Sequence, residues 1–129
     1  MGKINSDEFA ERLGAYSHGY SIEIGGKRLI FTTGQIALDK NGKVVAPNDP
    51  ELQSEHVFES LNKILANEGA SLDDVVKATI YVTDMEYFPK ISKVRNKYFK
   101  KSEPVSTLVE VSRLVKDGCV VEIEVVAVK

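Results

Sequence analysis

Residues 119–129, at the carboxyl end of the chain, read CVVEIEVVAVK. The run is rich in valine, and β-branched residues favour a strand. Because side chains alternate along a strand, one face carries two acidic and three apolar residues: Glu122, Glu124, Val120, Val126 and Val128. A buried carboxylate is unfavourable by several kcal/mol unless something compensates it. The stretch therefore predicts a core strand whose two glutamates need a separate explanation.

Two interpretations of these glutamates remain open at this point. Both can lie where the strand turns toward solvent or a salt bridge. Alternatively, one of them lines a cleft at a subunit boundary, where a partly desolvated carboxylate can act as a general base.

The rest of the chain alternates between strand and helix patterns. Residues 20–24 alternate and meet Gly25-Gly26, which predicts a hairpin. From residue 49 onward apolar side chains recur with the helical period, with Asp49 as a candidate cap. The predicted order is β-β-(β)-α-β-α-β-β, with elements at residues 20–24, 27–38, 43–46, 49–68, 74–83, 88–98, 105–111 and 119–128.

This order predicts an α+β fold, with residues 1–129 forming a single domain. Two helices can cover only one face of so wide a sheet. The other face, which carries Val120, Val126 and Val128, is too apolar for water. A second copy of the chain is the expected cover, so we predict a homo-oligomer.

Composition restricts the function classes. The net charge is −2, which argues against nucleic acid and anionic membranes as partners. The five lysines of the second helix (residues 90–101) form either a solvated face or a docking strip for phosphate groups. The single cysteine, Cys119, is consistent with a reducing compartment, so we expect a cytoplasmic protein. Its valine neighbours indicate that Cys119 is a small residue of the core.

Further candidate residues lie near the first strands. Tyr16 sits between Gly14 and Gly19 and is either a packing anchor or a pocket wall. Residues 32–35, TTGQ, end a strand and either present backbone N–H groups to an anion or form a simple turn. The two histidines have no second ligand at metal-binding spacing, so no metal site is expected.

Four stretches of the chain resemble the RidA family, also called YjgF/YER057c/UK114. They are GAYSHG (14–19), TTGQIAL (32–38), SLNKILANEGASLDDVVKATIYVTDM (60–85) and EVSRLVKDGCVVEIEVVAVK (110–129). The resemblance implies a chorismate-mutase-like fold, a mixed sheet with two helices on one face. It also implies a homotrimer around a central β-barrel, with a small-molecule ligand in each cleft between subunits.

The resemblance also implies an activity. Members of the family hydrolyse reactive enamines and imines, formed by pyridoxal-phosphate enzymes, to 2-oxo acids and ammonia without a metal or cofactor. By this resemblance Glu122 positions or activates the attacking water. The positions that match the family's substrate-binding cleft are Tyr16, Thr33, Gly34, Phe88, Ser92, Ser106, Thr107 and Leu108.

The chain departs from the family pattern at the substrate carboxylate. Members carry an arginine in a Pro-Ala-Arg-Ser segment, and residues 104–107 here read Pro-Val-Ser-Thr, with Ser106 at the arginine position. A family asparagine falls on Ser92. A lost bidentate contact weakens binding about 100-fold. Arg113 matches a different arginine of the family, and whether it or a neighbouring subunit supplies a cation stays open.

Three hypotheses follow. The chain is an imine or enamine deaminase with Glu122 as base, or a non-catalytic trimer that binds a metabolite or a protein in the same clefts. The third is action on RNA as a ribonuclease or translation inhibitor, against which the acidic balance argues.

Overall fold

The computed structural model describes residues 2–129, which form six strands and two α-helices. In chain order these are β1 (Gly2–Ile4), β2 (Gly19–Ile24), β3 (Lys27–Thr32), α1 (Pro50–Ala66), β4 (Val75–Val82), α2 (Phe88–Tyr98), β5 (Val105–Glu110) and β6 (Val121–Val128). Short 3₁₀ helices at Leu72–Asp74 and Met85–Tyr87 precede β4 and α2.

The strands form one mixed sheet in the order β1-β2-β3-β6-β4-β5. Neighbouring strands are antiparallel except β4 and β5, which are parallel and joined through α2, because a parallel pair needs a crossover connection. The valine-rich C-terminal strand β6 lies inside the sheet, between β3 and β4. The predicted α+β fold, a mixed sheet with two helices, is confirmed.

Helix α1 forms where the pattern predicts it. The Asp49 carboxylate accepts a hydrogen bond from Leu52 N–H at 3.0 Å, and Pro50 occupies the first turn, where its missing N–H is no loss. Its apolar stripe is fully buried and contains Val57, Phe58, Leu61, Ile64 and Leu65. Each such side chain contributes about 1.5–3 kcal/mol by leaving water.

The two faces of the sheet differ in cover. Along β6, Val121, Ile123, Val125 and Ala127 are buried in the core with both helices, whereas the side chains between them are only half-buried. We call the second face the open face. Cross-strand pairing there joins Tyr20 to Phe31, Phe31 to Val126, Leu29 to Val128, Thr79 to Glu124 and Tyr81 to Glu122.

Apolar surface on the open face is extensive. The side chains of Tyr20 and Phe31 are 46% and 39% exposed, although they are paired neighbours in the middle of the sheet. No helix of the described chain packs on them. This is the uncovered face that the sequence predicts, while the trimer remains a prediction.

The structure corrects four details of the sequence-based predictions. Residues 2–4 form a strand, β1, that the sequence pattern did not indicate. The candidate third strand at 43–46 is only an isolated bridge between Leu38 and Val44, and β3 ends at Thr32 rather than at residue 38. Val120 precedes β6, and its N–H donates to the Gln53 side chain of α1. It is buried, with only 4% of its surface exposed, so it does not belong to the open face.

Within residues 2–129, no helix has the length and apolar character needed to span a bilayer. The cytoplasmic location expected from the sequence stays a prediction.

Candidate functional site

A small pocket opens where β3 separates from β6. Backbone pairing of the two strands ends at Phe31 and Val126. Beyond that point the chain turns away and returns to β6 at an isolated bridge between Gln35 and Ile123. The pocket has a volume of about 100 Å³, which suits a molecule of a few heavy atoms. Its walls include Phe9, Arg12, Tyr16, His18, Thr33, Gly34, Gln35, Ser60 and Glu122.

Gly34 and Glu122 are in direct contact at the base of this pocket. A Cβ atom at Gly34 would lie 2.2 Å from Glu122 Oε2 and 3.0 Å from its Cγ, so no larger residue fits without moving the carboxylate. The segment is held on β6 by two hydrogen bonds, Gln35 N to Ile123 O at 2.9 Å and Ile123 N to Gln35 O at 3.1 Å. Among residues 2–129 the Gly34 N–H has no hydrogen-bond acceptor.

The electrostatics favour a basic carboxylate. Burial, and secondly the nearby Glu124 carboxylate, raise the pKa of Glu122 above its usual value. Glu124 itself accepts a hydrogen bond from the Tyr81 hydroxyl at 2.9 Å, and this contact raises the pKa of Tyr81. The Tyr81 hydroxyl therefore gives Glu124 a hydrogen-bond partner within its own chain.

The opposite wall is an aromatic and histidine cluster. His18 is buried and accepts the Ser6 N–H at Nδ1, which leaves Nε2 as the protonated nitrogen of the neutral ring. Its ring meets Phe9 edge to face, with the centroids 5.0 Å apart. Burial and then the Arg12 charge lower the pKa of His18. Tyr16 is held by its hydroxyl, which accepts the Leu13 N–H at 3.2 Å.

The remaining predicted site residues lie elsewhere in the same chain. Phe88 and Ser92 are on α2, and both contact Arg95 of the same helix. Arg95 Nη2 donates to Ser92 Oγ at 2.9 Å. The Arg95 guanidinium lies over the Phe88 ring, 5.7 Å from its centroid. Ser106 on β5 lines an open groove beside Arg95.

The other two β5 positions are divided between the faces. Thr107 pairs with Thr79 on the open face. Leu108 pairs with Ile80 and packs against the core.

The structure thus brings together four of the nine predicted site residues: Tyr16, Thr33, Gly34 and Glu122 share one pocket. Phe88 and Ser92 contact Arg95, which also borders the groove of Ser106, whereas Thr107 and Leu108 lie on opposite faces of the sheet. Sequence reasoning missed Phe9, Arg12 and His18 as wall residues, because nothing in the N-terminal spacing shows that this loop folds over the sheet. It also missed Arg95, although positions 88, 92 and 95 follow the i, i+4, i+7 spacing of one helix face.

Comparisons with known proteins support the resemblance. The profile of the family described as Endoribonuclease L-PSP matches residues 10–129. The crystal structure of a member of the conserved Rid protein family from Yersinia pestis is 31% identical and superimposes with a TM-score of 0.85, covering 98% of this chain and 97% of that one. This chain belongs to the RidA/YjgF family.

Two relatives of this RidA-family chain extend the comparison. A RutC family protein of Pyrococcus abyssi is 38% identical over 126 residues, covering 98% of this chain and 95% of the relative. The 3-aminoacrylate deaminase RutC of Acinetobacter baylyi is 36% identical over 99 residues, covering 77% of this chain and 78% of the relative. The family and fold inferred from the sequence motifs are confirmed by these matches.

Proposed function

We propose that this RidA-family chain hydrolyses small imines and enamines derived from amino acids, with Glu122 as general base. In the reaction a 2-imino acid and one water molecule yield a 2-oxo acid and ammonia. Glu122 takes a proton from the water molecule while the water oxygen attacks the imine carbon. The C–N bond breaks after the nitrogen is protonated, which releases ammonia. An enamine enters the same route after protonation at carbon.

The observation that carries this proposal is the position of the Glu122 carboxylate. It is partly desolvated, its pKa is raised, and it lines a pocket together with Gly34, whose N–H has no acceptor among residues 2–129. A raised pKa makes a carboxylate a stronger base near neutral pH, and general-base catalysis contributes about 10²–10⁴-fold to a rate. The name of the Acinetobacter relative supports the substrate class, since 3-aminoacrylate is an enamine that carries a carboxylate.

Trimer formation belongs to the same proposal. The pocket of one chain is small, and the group around Phe88, Ser92 and Ser106 lies outside it. Three copies joined through the open face would place the two groups opposite each other at each subunit boundary. The exposed apolar side chains of Tyr20 and Phe31 supply a reason for that association.

Ammonia release tests the proposal directly. Imines are generated in situ by an amino-acid oxidase or by threonine dehydratase, and their decay is compared with and without the protein. We expect acceleration by the native chain and a loss of about 100-fold or more in Glu122→Gln. Glu86→Gln is the matched control, because Glu86 is exposed and does not line the pocket. No acceleration over buffer across several imines would reject the enzyme.

A non-catalytic metabolite-binding trimer is the second candidate, and the serines at positions 92 and 106 favour it. Thermal-shift measurements with 2-oxo acids and their neutral analogues separate the two, because a binding module is stabilised by ligand without releasing ammonia. Action on RNA, which the family description names, predicts binding that weakens as salt rises. Absence of RNA binding at low salt would remove it.

A further inference from the structure

We infer that Arg95 on α2 binds the carboxylate of the ligand and thereby replaces the cation that Ser106 lacks. The inference rests on the proposed function for the class of ligand, a small 2-oxo or 2-imino acid, and adds to it a specificity-determining residue. It assigns that role to a helix position rather than to β5 or to Arg113.

The first support is the surroundings of the guanidinium. Arg95 Nη2 donates to Ser92 Oγ at 2.9 Å, and Nε donates to Asn96 Oδ1 at 3.2 Å. The guanidinium carbon lies 5.7 Å from the centre of the Phe88 ring, which holds the planar group by a cation–π contact. Two neutral acceptors and one aromatic face therefore orient the fork without neutralising its charge.

The second support is the missing counter-charge. Within residues 2–129, no carboxylate lies within 4.0 Å of the Arg95 nitrogens, whereas Arg28 contacts both Glu23 and Glu68. Nη1 donates to no side chain or backbone group of the described chain. An oriented guanidinium with unused N–H donors binds a carboxylate more strongly than a neutral acceptor, because charge-assisted bonds are about twice as strong.

The third support is the groove itself. Its polar groups are two cations, one carboxylate and two neutral side chains (Arg95, Lys100, Glu103, Asn96 and Ser106), with Phe99 and Pro104 as apolar walls. No nitrogen of Arg95 is paired with Glu103 within 4.0 Å in the described chain, so positive charge is in excess in the groove. Ser106 is on this groove, so an arginine there would occupy the same space that Arg95 now borders. The alternative cation Arg12 lines the pocket of Glu122 instead, which is the group that must act as base. A carboxylate bound at Arg95 is kept away from Glu122, which avoids repulsion between like charges.

Binding of two probes tests the inference. The probes are 2-oxobutyrate and its neutral amide, 2-oxobutyramide, measured by calorimetry on the native chain and on Arg95→Gln. We expect the native chain to prefer the acid. Arg95→Gln should weaken acid binding about 10-fold or more and leave amide binding unchanged, so that the preference disappears. Arg95→Lys should keep part of it, because the charge remains but the fork does not.

Variants of the other candidates provide the controls. Arg113→Gln removes one exposed positive charge that lines neither pocket and should change acid binding less than about twofold. Arg12→Gln tests the competing cation of the Glu122 pocket and should weaken acid binding less than Arg95→Gln does. The double variant Arg95→Gln/Ser106→Arg should recover acid binding, since it returns a guanidinium to the groove. Unfolding curves verify that each variant is folded.

The outcomes separate this inference from the proposed function. Unchanged acid binding in Arg95→Gln, equal loss of acid and amide, a larger loss in Arg113→Gln or Arg12→Gln, or no preference in the native chain would each overturn the role of Arg95. Ammonia release is measured on the same samples. A protein that binds the acid through Arg95 but releases no ammonia retains the inference and loses the enzyme. If the native protein releases ammonia but Arg95→Gln binds the acid as well as the native chain does, the enzyme is retained and the role of Arg95 is lost.

Discussion

The Glu122 carboxylate occupies the space that a side chain at position 34 would fill. A Cβ atom built at Gly34 would lie only 2.2 Å from Glu122 Oε2, which is far shorter than a van der Waals contact. Because residue 34 has no side chain, the Glu122 carboxylate, the proposed general base, can lie at this position.

Gly34→Ala should separate activity from stability. The new methyl group displaces only the end of a flexible side chain, and Gly34 does not have a positive φ, so we expect unfolding free energy within about 1 kcal/mol of the native value. Displacement of the base by about 1 Å lowers a rate up to about 100-fold. The measurements are urea unfolding and imine hydrolysis. Gly14→Ala is the control, because its Cβ would meet only Tyr16 ring carbons at 3.7 Å. Full activity in Gly34→Ala would contradict the role of this contact.

Glu122→Gln should be more stable than the native chain at neutral pH. The folded-state pKa of Glu122 lies above its usual 4.5, so folding favours the protonated carboxyl. Native stability therefore falls as pH rises from about 4.5 through the raised pKa, whereas the amide does not titrate. Urea unfolding at fixed protein concentration should show near-equal stability at pH 4 and a more stable variant at pH 7. The opposite order at pH 7 would show that an unseen partner compensates this charge.

Stability should also fall in mild acid because of His18. Its pKa is lowered by burial and by Arg12, so the folded state holds the neutral ring and the unfolded state takes up a proton below about 6.5. The stability that the neutral His18 ring contributes is fully present above pH 6.5. It is lost as the pH falls from 6.5 to the lowered pKa of the folded state. Protonation would also remove Nδ1 as acceptor of the Ser6 N–H. NMR titration of the His18 ring measures the shift, and a midpoint above 6.5 would contradict it.

Phe31→Lys should dissociate the proposed trimer. Phe31 is 39% exposed at the centre of the open face, between Tyr20 and Val126, and a charge there is costly in any interface that excludes water. Light scattering should change from three copies to the mass of one 14.3 kDa chain. Leu52→Lys, which changes a residue 55% exposed on α1, should leave the mass unaltered. A native protein that is already monomeric at micromolar concentration would end the trimer proposal.

Much of the fold could be predicted from residue patterns. The helical stripe of Val57, Leu61 and Ile64 and the alternation along β6 both reflect local periodicity, which burial on one face imposes directly. Strand β1 escaped prediction because three residues are too few to establish a period. Val120 was misplaced because alternation was extended one residue beyond the strand, where Gln53 captures its N–H.

The candidate site divides in the same way. Motifs in the sequence identified Glu122, Gly34 and Tyr16, and the missing arginine at position 106, since each depends on residue type in a recognisable segment. Which of these residues meet was decided only in three dimensions, by the departure of β3 from β6 and by the bridge between Gln35 and Ile123. The same holds for Arg95: that no carboxylate of residues 2–129 lies within 4.0 Å of its nitrogens depends on what other segments place near it. Local chemistry is written residue by residue, whereas proximity and burial depend on contacts between distant segments.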